Sequence, residues 1–362
     1  MDNAPVNGFP PDGGIFTIHY SLFAIHYSLF AINAMRYLRY SLFAIRYSLL
    51  VAVGCLLLFA PALHAQTEEL IPFGDMDQWV DRQIKESGII GGATKHVYAI
   101  GPTCVIADNS AYTNMGGSPW GSSNVLARVS GITKTNTSVF PDTHDDGLCA
   151  RMDTRMESVK VLGIVNITVL AAGSIFLGSM HEPIRGTKNP QKMLESGIPF
   201  TRRPVALRYD YRVTASDRPC RIRATGFGRQ TDVAGRDSCV TCLLLQQRWE
   251  DDEGNIYARR IATLVVYYDQ TTDWVTDATY PLIYGDASRQ PGYLPQLMDL
   301  KAEIRYAVNS RGESVPIQEV EWGTGDETPT HLFIQFASSH GGAYIGSPGN
   351  SFYIDNVRLV YE

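Results

Sequence analysis

Between Val205 and Val213 every second residue is large and apolar. Val205, Leu207, Tyr209, Tyr211 and Val213 alternate with Ala206, Arg208, Asp210 and Arg212. Successive side chains of a strand point to opposite faces, so the pattern predicts a strand with the first set in a core and the second on the other face. Cys239 to Glu250 repeats the device, with Leu243, Leu245 and Trp249 opposite Leu244, Gln246, Arg248 and Glu250. Asp251 to Asn255 supplies a turn, and Ile256 to Tyr268 returns as the hairpin partner. Ala302 to Val308, His331 to Ala337 and Ser351 to Tyr361 read as further strands, and the apolar stretch Val159 to Leu177 as two buried ones. Asp75 to Glu86 and Pro190 to Ser196 are the best helix candidates. Short strands separated by turn residues, with no alternation of strand and helix, predict an all-β protein of one domain, a sandwich or a jelly roll.

Residues 1–65 do not fit that pattern. IHYSLFA stands at Ile18 and again at Ile25, and RYSL recurs at Arg39 and Arg46. A coiled-coil seam needs polar flanks, and this repeat is apolar at most positions. It reads as a short DNA repeat translated in frame, ahead of the true start. From Met35 the order is that of a secretory signal peptide: Arg36, Arg39 and Arg46, then apolar Leu49 to Phe59, then a cleavage site at Ala65. The apolar run ends at Pro61 and falls short of the roughly 20 residues of a membrane span. The expected organisation is a repeat segment over 1–34, a signal peptide over 35–65 and the jelly roll over 66–362. The mature chain then has no integral membrane span. The product is exported, to the periplasm, the outer-membrane surface or the medium.

Composition narrows the partners. The net charge of −6 argues against a nucleic-acid partner, which needs a basic face. The chain lacks a phosphate-binding Gly-Lys-Ser/Thr loop, a Gly-x-Ser-x-Gly elbow and a His-Glu-x-x-His pair. Cys239 and Cys242 form one CxxC, but a zinc site of that kind needs a second pair. With Cys104, Cys149 and Cys220 they suggest either a disulfide from Cys220 to Cys239 or Cys242, or plain buried thiols. Among carboxylates, Asp210, Glu250, Glu319 and Glu321 are candidates for the paired acids of a glycosidase, which stand about 5.5 Å or about 6.5–9.5 Å apart.

Sugar rings stack their C–H faces on aromatic rings and exchange hydrogen bonds with planar polar groups. Ser118 to Asn124 places Trp120 in a polar, turn-rich stretch. Arg208, Asp210 and Arg212 share one sheet face. Gly341 and Gly342 keep the loop of His340 and Tyr344 low. These readings assemble a carbohydrate-binding cleft floored by Arg208, Asp210 and Arg212 and edged by Trp120, His340 and Tyr344.

Several segments carry a family resemblance. They are Phe333 to Leu359 (FIQFASSHGGAYIGSPGNSFYIDNVRL), Gly197 to Tyr211 (GIPFTRRPVALRYDY), Pro72 to Trp79 (PFGDMDQW), Pro119 to Asn124 and Ala171 to Gly178 (AAGSIFLG). In this order they resemble the putative carbohydrate metabolism domain family, exported proteins of gut-type Gram-negative bacteria, over roughly Pro72 to Tyr361. The resemblance implies a β-jelly roll and a glycan or polysaccharide partner, and brings no catalytic residues with it. Ser351 to Tyr361 is also similar to the last strand of carbohydrate-binding jelly rolls. In several of those an Asp there shares a structural calcium with an acid near the first strand, which here implies Asp355 with Asp77 or Asp75. Binding or processing of carbohydrate is the leading expectation. A glycoside hydrolase or lyase on the same scaffold, and a structural or adhesive surface protein, are the alternatives.

Overall fold

The computed structural model describes residues 33–39, 41–43, 45–46, 48 and 66–362, the last range without 162–164, 187–188, 227–228 and 302–303. Most of the repeat segment and of the signal peptide therefore lie outside the described residues. Contacts divide the chain at Ala65/Gln66. Residues 33–39 of the first unit are helical. No helix among the described residues is long and apolar enough to cross a membrane.

The second unit is all-β, and two large sheets form a sandwich. The first sheet runs in the order Thr225–Gly226, Val165–Ala172, Gly147–Val161, Ser351–Tyr361, Ala206–Thr214, Val275–Pro281. Thr67–Leu70 adds to Ser351–Tyr361, and Val139–His144 to Gly147–Val161. The second sheet runs Leu194–Ser196, Ser174–Met180, His331–Ala337, Cys239–Glu250, Ile256–Tyr268, Ser314–Trp322, Tyr306–Val308.

Period-two alternation sets the register. Across the first sheet Leu207 faces Leu359, Tyr211 faces Ile354 and Val213 faces Phe352. Across the second, Leu243 faces Ile334 and Leu245 faces Leu332. A one-residue slip would turn each of these side chains to the wrong face. The two apolar sets meet in one core that holds Leu207, Tyr209, Val213, Phe352 and Ile354 against Leu243, Leu245, Tyr268, Ile334 and Phe336. Tyr209 sits at its centre, edge-on to Phe336 at 5.0 Å, and its hydroxyl donates to Thr241 Oγ1 at 3.0 Å. Burial pushes that phenol far above its ordinary range.

The hairpin of Cys239–Glu250 with Ile256–Tyr268 forms as expected, closed by Asp251, whose carboxylate accepts the Asn255 N–H at 2.8 Å. Val165–Ala172 and Ser174–Met180 are two strands, but in different sheets, and Gly173 is the corner between them. Neither helix candidate is an α-helix. Over 75–86 the chain makes a turn and the strand Trp79–Lys85, with Val80, Arg82 and Ile84 buried in alternation. Over 190–196 it makes one 3-10 turn and the strand Leu194–Ser196. Of the strand expected from Ala302, only Tyr306–Val308 forms among the described residues.

The outer faces of the two sheets differ. On the second sheet Phe176, Leu244 and Phe333 are buried beneath Leu194, with the Arg305 guanidinium 4.9 Å over the Phe333 ring. The outer face of the first sheet carries rings and charges instead.

Candidate functional site

Arg208, Asp210 and Arg212 point to the outer face of the first sheet, as their alternation requires. Arg212 stands opposite Tyr353 in register, and its guanidinium lies 3.9 Å over that ring and 5.6 Å over Trp274. Tyr353 pairs in turn with Arg151, which lies 4.9 Å over Phe140. Trp274 stacks on His144, with ring centroids 3.6 Å apart and 21° between planes. Phe140, Arg151, Tyr353, Arg212 and Trp274 thus form a ladder of rings and guanidinium planes across the sheet, each partly exposed. Such contacts are worth about 0.5–2 kcal/mol each and hold the groups flat.

Two carboxyls lie beside the ladder. A bulge between Arg208 and Asp210 shifts the register so that Asp210 faces Asp355. Asp210 is 3% exposed and accepts the Asp277 N–H at 2.6 Å and the Asn356 side-chain amide at 2.8 Å. Asp355 is 5% exposed and hydrogen-bonds His144 Nδ1 at 2.7 Å and the Asn356 N–H at 2.7 Å. Burial pushes the Asp355 carboxyl up to about 6, the Asp210 charge adds to the rise, and the His144 and Asn356 hydrogen bonds oppose it. Asp277 and Asn356, which supply the donors to Asp210, both adopt positive φ (52° and 54°). Non-glycine residues held there carry backbone strain, which collects at functional sites. Cys149 is fully buried on this face, and burial raises its thiol to about 12, so it is no nucleophile at neutral pH.

The remaining expected residues lie elsewhere. Trp120 is not in a loop. It begins the strand Trp120–Ser122, is 1% exposed and donates its indole N–H to Pro72 O at 2.9 Å. It fills core volume and offers no face to a ligand. His340 ties its loop down, accepting the Ser238 N–H at 3.1 Å beside the buried Asp237. Tyr344 lies in the same loop with φ 64°. Arg208 is at the border of the ladder, paired with Glu68 and donating to Thr279 Oγ1 at 2.7 Å.

Asp77 is exposed and accepts the Leu148 N–H at 2.7 Å. The hydrogen bonds of Asp77 and Asp355 come from N–H donors and an imidazole, and the one further oxygen donor placed opposite Asp355 is Asp210, a set that falls short of the six to eight oxygens a calcium needs. No group of three or more His, Cys, Asp or Glu gathers for a metal among the described residues. The other acid candidates are engaged. Glu250 takes two bonds from Ser310, and Glu321 pairs with Arg259. At Glu319 burial works against the charge, and Arg260 outweighs it and holds the carboxyl below its usual range. Cys104, Cys149, Cys220, Cys239 and Cys242 are all free thiols.

Sequence reasoning missed Tyr353, although the alternation of Ser351, Tyr353 and Asp355 puts it on the Asp355 face. Trp274 and His144 carried no such signal, because each gains its role from a partner distant in sequence.

The fold and this face define a class: a β-sandwich protein that presents aromatic rings and arginines on one sheet. Residues 99–278 match the model of the putative carbohydrate metabolism domain family. Solved structures similar to this chain include two from Bacteroides. One is a putative glycoside hydrolase from Bacteroides vulgatus, at 15% identity and TM-score 0.36, covering 65% of this chain and 89% of that one. The other is a putative glycoside hydrolase from Bacteroides thetaiotaomicron, at 15% identity and TM-score 0.38, covering 84% and 98%. No curated protein matches the chain.

Proposed function

We propose that the protein recognises carbohydrate, and that a glycan lies across the ladder on the outer face of the first sheet. The ladder itself carries this reading. Phe140, Tyr353 and Trp274 offer ring surface for the C–H faces of sugars, and Arg151 and Arg212 offer fixed planar donors for their hydroxyls. The family's carbohydrate association supports the ligand class. Binding is favoured over cleavage because Asp210 and Asp355 are buried and already occupied by donors. The role belongs outside the cytoplasm, in keeping with the order of residues from Met35 to Ala65.

A second reading, hydrolysis, rests on one observation. Asp210 and Asp355 face each other, and one of them has the raised pKa that a general acid needs.

One assay separates the two. The protein is offered plant, host and microbial polysaccharides, and product release is measured in the same wells. Binding without products is expected, with Arg212→Ala weakening it at least about tenfold, roughly 1.4 kcal/mol. Products that vanish in Asp355→Asn would establish the enzyme. Undiminished binding by Arg212→Ala would remove the ladder as the site.

A further inference from the structure

The long hairpin of the second sheet ends in an uncovered aromatic pair. Trp249 and Tyr257 face each other across the strands, with ring centroids 5.9 Å apart and 23° between planes. By alternation Trp249 and Gln247 share the side of Leu243 and Leu245, which the first sheet covers. Yet Trp249 is 42% exposed. The hairpin runs past the cover, and its inward side continues as open surface.

Polar planes flank these rings. Arg259 donates from Nε and Nη2 to Glu321 Oε1 at 2.8 and 2.6 Å, and from Nη1 to Gln247 Oε1 at 3.3 Å. Arg259 also lies 3.9 Å from Glu327. The Glu327 carbonyl accepts from Arg203 at 2.7 Å, and the Arg203 guanidinium lies 4.5 Å over the Tyr284 ring. There the surface sinks into a depression of about 440 Å³ lined by Arg203, Tyr284, Asp326 and Tyr361 among others. Its volume is within the range of ligand sites, about 300–1,000 Å³.

We propose that this strip, from Trp249 and Tyr257 past Arg259 to Tyr284, is a second glycan-binding surface that takes successive pyranose units of a polysaccharide. The ligand class rests on the reading of the ladder; the site is independent of it. A pyranose has a flat C–H face for Trp249 and hydroxyls that both donate and accept. The Arg259–Glu321 pair, with Glu327 and Gln247, offers acceptors and donors of both signs side by side. That balance fits a neutral polyol better than an anion or cation. Because the strip and the ladder belong to different sheets, one polymer engaging both gains avidity, whereas a short oligosaccharide engages one site at a time.

The test is affinity of the full chain for a polysaccharide that it binds, and for a short oligosaccharide of the same sugar. The parent is compared with Trp249→Ala, Trp249→Phe and Arg212→Ala. Trp249→Ala should lose at least about tenfold on the polymer and little on the oligosaccharide. Trp249→Phe, which keeps a ring, should restore most of the loss. An unchanged melting temperature shows that the loss is not unfolding. Polymer binding unchanged in Trp249→Ala but lost in Arg212→Ala overturns the strip and leaves the ladder. The reverse pattern overturns the ladder and supports the strip. No binding by the parent to any of the plant, host and microbial polysaccharides overturns both. Self-association in sedimentation that Trp249→Ala abolishes, with glycan affinity intact, makes the strip an interface between copies and overturns the proposal.

Discussion

At Asp355 burial and a neighbouring charge act together, and their effect is measurable as pH dependence. Its carboxyl titrates near 6 in the folded protein, against about 3.9 in an unfolded chain. Between those values the folded state holds a proton that the unfolded state has lost. Stability therefore falls as pH rises from about 4 to about 6, since slope follows the difference in bound protons. Asp355→Asn cannot ionise, so its stability, followed by denaturant unfolding from pH 4 to 7, should fall less over that window. Parallel curves for parent and variant would contradict the assignment. A second contrast concerns the tryptophans. Trp120→Ala removes a buried ring and should cost about 3–5 kcal/mol in unfolding experiments. Trp274→Ala removes a half-exposed one, so it should cost less stability while weakening glycan retention. Strand periodicity revealed which residues share the face of Arg212. It could not reveal that Trp120 is buried, because Ser118, Pro119 and Gly121 around it are turn formers and only the pairing with Ser174–Met180 makes that stretch a strand.

Among the elements, the strands with strict alternation were legible and those shaped by tertiary contacts were not. Ala206–Thr214, the long hairpin and Ser351–Tyr361 follow from their own residues. Trp79–Lys85 reads as helix in the sequence because Trp79, Val80 and Ile84 also suit a helical spacing, and only pairing with Thr94–Ile100 makes it a strand. Cys239 and Cys242 explain themselves in the same way. Three residues apart on a strand, they face opposite sides, one in the core and one against Arg305. They cannot jointly hold a metal. The corner at Gly173 yields a test at this scale. A Cβ there would sit 2.3 Å from Ser138 O and 2.8 Å from Asp153 N, both backbone atoms. Gly173→Ala must push two strands apart, and a loss of at least about 1–3 kcal/mol is expected. Gly131→Ala is the control. Its φ of +77° strains any side chain, but nothing lies within 4 Å, so a loss of about 1 kcal/mol or less is expected by thermal melting. Equal losses would mean that the corner is not packed as described.

For the whole molecule, the last strand of the sequence occupies the middle of the first sheet. Ser351–Tyr361 is bonded to Ala206–Thr214 on one side and to Gly147–Val161 and Thr67–Leu70 on the other. It supplies Phe352, Ile354, Val357 and Leu359 to the core, and Tyr353 and Asp355 to the candidate site. Site and core thus share one strand whose partners stand about 140–150, 200 and 290 residues away, a non-local closure that carries a large entropic cost. Sequence patterning showed that this strand exists. Its central place could not be read from it, since strand order is set by pairings and not by local residues. Chain shortening tests the account. Ending the chain at Asn350 should abolish cooperative unfolding altogether, because it removes a central strand and opens the core. Starting it at Ile71 removes Thr67–Leu70, all of it exposed, together with the surface pairs Glu68–Arg208 and Glu69–Arg202. Edge pairing and exposed ion pairs are weak, so that loss should be about 1–2 kcal/mol, with a cooperative transition retained. A chain ending at Asn350 that still melts cooperatively would show that the second sheet folds without the first, and the glycan face would then have to be sought on the hairpin.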